Sequence, residues 1–267
     1  MQEANRLQKA LKAGRPAYGG WQMLPGTNLT RVMCRSARNM DWLLVDLEHG
    51  NISDDSMHEI VAAAAACGVS PIVRVLEGQH CMIKRALDSG AHGILVPMLE
   101  TVQDAENVVR ASKFPPLGTR GFEPLLAVDK FVEQHPHGGE VRELSGKEYL
   151  EQANSSLVIA VQIETKSALD NVKEIAKVPG IDVLFVGPFD LGVSIGHPIV
   201  RGQMDETLVG AIQSVQEAAQ AAGIAAGIYC DSGEDAKAWA SKGFLMNSVV
   251  TDMIGLRQVV SQLFSAI

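Results

Sequence analysis

A chain of 267 residues with a formal charge of −8, from 31 acidic against 23 basic residues and with no Lys/Arg run, lacks the concentrated basic footprint that nucleic-acid binding requires. Its 46% hydrophobic and 20% charged content is that of a folded globular protein. No uninterrupted 18-residue apolar stretch occurs and residues 1–15 hold no apolar signal region, which disfavours membrane spanning and secretion and makes a cytoplasmic setting the expectation. Cys34, Cys67, Cys81 and Cys230 form no C-x-x-C pair, so neither a zinc cluster nor a disulfide framework is suggested.

Along the chain, short β-rich runs alternate with helical segments. Strands are expected at 16–22 (PAYGGWQ), 42–48 (WLLVDLE), 71–75 (PIVRV), 93–98 (GILVPM), 157–164 (LVIAVQIE), 183–188 (VLFVGP), 225–230 (AAGIYC) and 244–250 (FLMNSVV). Several are almost continuously apolar, as suits parallel strands covered on one face by helices and on the other by a barrel interior.

Between them, Ser53 caps a helix with Asp54 and Asp55 in its first turn, ending at Gly68. A helix is expected near 101–112. Ser167 with Asp170 resembles a capping box, followed by a helical period that ends at Pro179 and Gly180, and 205–223 repeats the pattern with Leu208, Ile212, Val215 and Ala219. The connection from 113 to 156 breaks the rhythm. A structureless loop of that length is unusual inside a compact domain, so it is expected to contain short helices and to cover something.

At the C-terminus, Thr251 or Asp252 can start a helix. Its apolar residues, from Met253 through Leu256, Val259 and Leu263 to Ile267, cover more than one narrow stripe and suggest a second partner, the alternative being a deep groove on its own barrel. Eight β-then-α alternations predict an α/β fold of the (β/α)8 TIM barrel type, one domain over 1–267, with the helix 252–265 packing on a partner subunit.

In such a barrel, polar residues at the C-terminal strand ends face the active side. The second strand ends in Asp46, Glu48 and His49, the third carries Arg74, the fifth ends with Gln162 and Glu164, and the sixth leads to Asp190. Two carboxylates converging on one cavity repel unless one is protonated or a cation lies between them, so Glu164 and Asp190 are the metal candidates. Oxygen ligands favour Mg2+ or Mn2+. The alternative is that both bond to loops or cap helices. His49 is a candidate general base, with Asp46 placed to orient it through Nδ1. A buried Arg74 requires a carboxylate or a bound anion. No strand-end position is lysine, which argues against Schiff-base chemistry, and the acidic CDSGED after the seventh strand argues against a phosphosugar.

Taken together, GGWQ, LLVDLEHG, PIVRV, GILVPM, GTRGF, YLEQAN, VQIET and LFVGPFDLGVSIG resemble the HpcH/HpaI aldolase family of metal-dependent pyruvate aldolases, from about Leu11 to the final helix. The resemblance implies that Glu164 and Asp190 bind Mg2+ or Mn2+, with Co2+ or Zn2+ as alternatives. It also implies that pyruvate chelates that ion, that Arg74 stabilises an enolate oxygen, and that Gln162, Gly187 and Pro188 lie at the substrate. His49 with Asp46 would act as the base, Asp88 would reach the dyad of a neighbouring subunit, and the backbone at Pro97, Met98 and Leu99 would flank the acceptor or the substrate carboxylate. Family members assemble as hexamers, trimers of dimers, with the last helix exchanged.

The activity so implied is reversible cleavage of a 4-hydroxy-2-oxo acid to pyruvate and an aldehyde. The alternatives are oxaloacetate decarboxylation or macrophomate-synthase-like enolate addition, a malyl-thioester lyase, and a non-catalytic barrel. Two departures from the family pattern, Phe189 and FEPLLAVDKF at 122–131, fall where acceptor specificity would be decided.

Overall fold

In the computed structural model, which describes residues 1–131 and 144–267, eight parallel strands close into a barrel in sequence order. They are β1 (Ala17–Gln22), β2 (Met40–Asp46), β3 (Ser70–Arg74), β4 (Gly93–Val96), β5 (Val158–Ile163), β6 (Val183–Val186), β7 (Ala225–Ile228) and β8 (Met246–Thr251). Each lies within two residues of its expected bounds. β4 and β6 stop early because Pro97 and Pro188, lacking an N–H, cannot continue a ladder. β2 stops at Asp46 because that side chain takes the next backbone donors, the N–H groups of Glu48 (3.1 Å) and His49 (3.2 Å).

The helices are α1 (Arg6–Lys12), α2 (Thr27–Ser36), α3 (Asp54–Ala66), α4 (His80–Asp88), α5 (Val102–Ser112), α6 (Gly146–Ser156), α7 (Lys166–Asp170), α8 (Val172–Ile175), α9 (Pro188–Ser194), α10 (Glu206–Ala222), α11 (Gly233–Ser241) and α12 (Asp252–Phe264). Ser53 caps α3 as expected, and Asp205 caps α10, which ends on left-handed Gly223 (φ 73°). The cap of α7 is a correction: Thr165, not Ser167, accepts the N–H of Ala168, since the strand ends at Ile163 and leaves Thr165 extended just before the helix. The connection between α5 and β5 contains a 3-10 turn at Val128–Phe131 and α6; the part of the long-loop expectation that falls on 132–143 lies outside the described residues.

Alternate strand residues face opposite ways, so the apolar runs split into two clusters. Leu44, Ile72, Leu95, Ala160 and Phe185 fill the barrel interior, while Leu43, Val45, Ile94, Val161 and Leu184 pack under the helices. Leu7 and Ala10 of α1 join the interior cluster and plug the base of the barrel. Trp42 occupies the space over Gly19, where a Cβ would lie 2.1 Å from the indole.

α12 does not lie in a groove of its own barrel. Met253, Leu256, Val259, Val260, Leu263 and Phe264 are 44–69% exposed. Beside it, Tyr18, Ala37, Met40, Val249 and Val250 line an apolar groove of about 380 Å³. Among the described residues no helix is long and apolar enough to cross a membrane.

Candidate active site

Asp46 and Arg74 are register partners in the β2–β3 ladder, so the strand pairing itself sets them side by side. Asp46 Oδ1 accepts from Arg74 Nε (2.9 Å) and Oδ2 from Arg74 Nη2 (2.6 Å), while Trp21 Nε1 donates to Oδ2 at 3.0 Å. Burial would raise the Asp46 carboxyl, but the Arg74 contacts and the Trp21 bond outweigh it and hold the group below the ordinary carboxylate value. Arg74 Nη1 lies 2.9 Å from Glu48 Oε2, and the guanidinium sits 4.8 Å from the Trp21 ring centroid. Arg74 is thus spanned by two carboxylates of its own chain.

The expected pairing of Asp46 with the His49 imidazole is corrected. Both Asp46 oxygens are taken by Arg74, Trp21 and two backbone donors, one of them the His49 N–H rather than its ring. The imidazole projects outward, 60% exposed, with Nε2 3.8 Å from Glu48 Oε1. Asp88 stands elsewhere. It closes α4 and accepts from the buried Arg120 Nη2 at 2.9 Å, and it does not line the mouth cavity of its own barrel.

Glu164 follows β5 and is buried. Its Oε1 accepts the N–H of Met98 at 2.7 Å and its Oε2 accepts from Gln162 Nε2. Met98 holds that N–H in place from the left-handed region (φ 53°), uncommon for a side chain of this type. Leu99, the next residue, offers its carbonyl to Thr165 Oγ1 (3.1 Å). Pro97, Met98 and Leu99 line a neighbouring cleft of about 570 Å³. Burial raises the Glu164 carboxyl to about 7; the Met98 bond opposes this, and the nearby Asp190 and Glu48 add to it. Gly187 touches the same group, since a Cβ there would stand 2.5 Å from Glu164 Oε2 and 2.7 Å from Gln162 Nε2. Asp190, in the first turn of α9, is exposed to the cavity.

These residues converge on a cavity of about 270 Å³ at the C-terminal strand ends, where Asp46, His49, Arg74, Gln162 and Asp190 meet Gly187 and Pro188. Glu164 lies against it through Gln162 and Gly187. A divalent cation fits this donor set on two counts: Glu164 is a buried carboxylate whose charged form is disfavoured by burial and by the neighbouring Asp190 and Glu48, which a cation would relieve, and Gln162 Oε1 is buried without a hydrogen-bond partner. Among the described residues no three His, Cys, Asp or Glu side chains cluster as a complete cage. Two carboxylates with room for water or substrate is the arrangement Mg2+ ordinarily takes.

Sequence reasoning missed a further part of the cavity lining, made by Trp21, Tyr229 and Thr251. Aromatic residues at strand ends carry the same apolar signature as core residues, and only the alternation that turns Trp21 inward marks it out.

A family model described as HpcH/HpaI aldolase/citrate lyase matches residues 23–257. The hydroxypyruvate/pyruvate aldolase of Rhizorhabdus wittichii is 32% identical over 261 residues, covering 98% of each chain. The 2-keto-3-deoxy-L-rhamnonate aldolase of Escherichia coli K12 is 34% identical over 241 residues, 89% of this chain and 85% of its own. The crystal structure of an HpcH/HpaI aldolase/citrate lyase family protein from Burkholderia cenocepacia matches with a TM-score of 0.83 and 30% identity over 97% of each chain.

Proposed function

The chain belongs to the HpcH/HpaI aldolase/citrate lyase family and is an enzyme of carbon–carbon lyase chemistry, and from that premise we propose a divalent-metal-dependent aldolase that reversibly cleaves a 4-hydroxy-2-oxo acid to pyruvate and an aldehyde. The observation that carries the reading is the buried Glu164, raised by burial and by its carboxylate neighbours, beside Asp190 at a cavity that also holds Arg74, Gln162 and His49. The aldolase names of the two relatives supply the 2-oxo acid class.

Glu164 and Asp190 would hold Mg2+, Mn2+ or a similar ion, which supplies a Lewis acid for negative charge developing on the keto oxygen. His49, exposed at the cavity lip, takes the proton from the C4 hydroxyl. The C3–C4 bonding pair then passes to C3, the aldehyde leaves, and C3 is protonated to give the pyruvate methyl group. Arg74, held rigid by Asp46 and Glu48, offers its positive charge to the developing enolate without having to reorganise. Gln162 is locked to Glu164 through its amide nitrogen, which leaves its buried carbonyl oxygen without a partner.

A metal-supplemented panel of aldehydes tests the reading, with pyruvate consumption followed in one direction and pyruvate release in the other. Turnover that is abolished by chelation and restored by Mg2+ or Mn2+ is expected. Decarboxylation of oxaloacetate without any aldol turnover would replace this function with a lyase of another substrate class.

We also propose that the chain works as a homo-oligomer, a hexamer built as a trimer of dimers, in which α12 packs on a partner subunit. Support comes from the exposed apolar face of α12 and from the apolar groove between β1, β8, α2 and α11 that it leaves open. A disulfide trap between α12 and the groove should form between subunits in the full-length protein and vanish in a diluted monomeric fraction. A trap that closes within one chain, or light scattering that finds only monomers, would remove the proposal.

A further inference from the structure

The mouth cavity has two unlike sides. One carries the carboxylates, Arg74 and Gln162; the other is three aromatic rings joined edge to face, and the two meet where Trp21 bonds Asp46 and lies against Arg74. Phe189, in the first turn of α9, is 51% exposed and meets Tyr229 with ring centroids 6.0 Å apart at 66°. Tyr229 in turn meets Trp21 at 5.1 Å and 85°. The wall is braced at its middle and at one end: Tyr229 Oη bonds Thr251 Oγ1 at 2.8 Å, and Trp21 Nε1 donates to Asp46. Solitary exposed apolar side chains are ordinary on a protein surface. Phe189 differs because it lines the reactive cavity and is fixed there by a neighbour that is itself fixed.

We propose that this wall of Phe189, Tyr229 and Trp21 is the acceptor subsite and that it selects an aldehyde bearing an aryl group over one bearing a chain of hydroxyls. The proposal rests on the aldolase reading above and names the substrate class of that same site. An aryl ring can add a further edge-to-face contact to the series, replacing water on ring surface that is already apolar. A polyhydroxylated acceptor would give up its water against ring faces that return no hydrogen bonds. The wall's own hydroxyl, on Tyr229, is already bonded to Thr251. Next to Trp21, both Asp46 oxygens already accept from Arg74 and from Trp21 itself.

The test compares kcat/KM for benzaldehyde and for D-glyceraldehyde, with pyruvate and Mg2+ or Mn2+, in the wild type and in Phe189→Ala and Phe189→Leu. Taking the ratio of the two acceptors on the same protein cancels any change in metal or pyruvate binding. The wild type should favour benzaldehyde about tenfold or more, and Phe189→Ala should lower that ratio about tenfold, the order expected for losing one aromatic contact. Phe189→Leu should recover only part of the loss. A wild type that favours glyceraldehyde, an unchanged ratio in Phe189→Ala, or full recovery in Phe189→Leu would each overturn the assignment. Two further measurements separate this proposal from the aldolase reading. Deuterium exchange into the pyruvate methyl group by the wild type reports the donor half-reaction alone, and its absence sinks the aldolase reading. Binding of unreactive benzyl alcohol, followed by NMR titration, needs no turnover: a roughly tenfold weaker affinity in Phe189→Ala upholds the wall, and equal affinity removes it.

Discussion

At the base of the barrel His92 is buried with both ring nitrogens occupied, Nδ1 against Ser70 Oγ (3.2 Å) and Nε2 donating to the Lys130 carbonyl (2.8 Å), and it stacks on Phe131. Asn5 Nδ2 ties the same region together through the carbonyls of His92 and Ser156, each at 2.9 Å. At the mouth, Glu164 is equally buried, yet its negative charge has Asp190 and Glu48 nearby and its neighbour Gln162 keeps a buried carbonyl without a partner. Burial shifts both groups away from charge, His92 down to about 4 and Glu164 up to about 7. What separates them is satisfaction. The His92 ring has a partner on each nitrogen, whereas Glu164 stands among like charges beside an unpartnered carbonyl, and a buried ionisable group signals a site only in the second case.

The largest effect should come from filling the deficit at the mouth by mutation. Glu164→Gln removes one charge while nearly keeping shape, and Mn2+ affinity measured by calorimetry should fall by about 100-fold or more, since even changes to groups behind a ligand typically cost 10- to 100-fold. Unchanged affinity would place the metal elsewhere and dissolve the contrast between the two ends.

Next in size is His49→Ala. The protein should fold and bind metal and pyruvate, and aldol cleavage should drop by roughly 10²-fold or more, as for loss of a general base. Wild-type kcat/KM from pH 6 to 9 in the variant would reject the role. Because the His49 ring is not held by Asp46, Asp46→Asn should act chiefly through Arg74 and Trp21, whose bonds it disturbs.

Much of this contrast is legible in the sequence, and the illegible part has a physical cause. The eight strands can be read because several are almost continuously apolar, and because Pro97 and Pro188 punctuate two of them. Glu164 and Asp190 stand out because carboxylates so soon after apolar strands are anomalous in any fold. The partner of Arg74 is not legible, because the ladder register that opposes it to Asp46 joins residues far apart in the chain. Local spacing suggested instead that Asp46 served His49, and the turn delivered the His49 backbone N–H to that carboxylate in place of the ring. The surplus apolar positions of α12 were visible in the sequence; that they stay exposed on the isolated chain is a tertiary fact.

A smaller effect belongs to the base. Burial holds His92 at about 4, against an ordinary histidine value near 6.5 for the unfolded chain. Between these two values the unfolded state takes up a proton that the folded state refuses, so the contribution of this site to stability is full above about pH 6.5 and declines as pH falls to about 4. The ceiling is roughly 3 kcal/mol. Urea titrations from pH 7 to 4.5 should show a shallower loss in His92→Gln than in the wild type, with aldol activity at pH 7 retained. Parallel pH profiles for the two proteins would mean that the base network does not carry the titration.

The smallest effect asks whether position at the mouth is enough to make a residue functional. Ser53 lies on the mouth side, just after the segment bearing Glu48 and His49, and its Oγ accepts the N–H of Ser56 at 3.3 Å to cap α3. It does not line the cavity, and its bond is local to the first helical turn. Ser53→Ala should therefore cost about 1 kcal/mol of stability, the usual value of an N-cap, and Ser53→Asp should restore it because the α3 dipole also favours negative charge there. In a chain of this size the change corresponds to a few degrees in melting temperature, readable by calorimetry. Aldol kcat/KM should stay within about twofold of wild type, since neither the charge at Glu164 nor the Arg74 clamp is touched. If kcat/KM instead fell in step with His49→Ala and recovered in Ser53→Asp, the cap would be setting the path of the His49 loop. The boundary between satisfied scaffold and open site would then run through α3 rather than along the cavity wall.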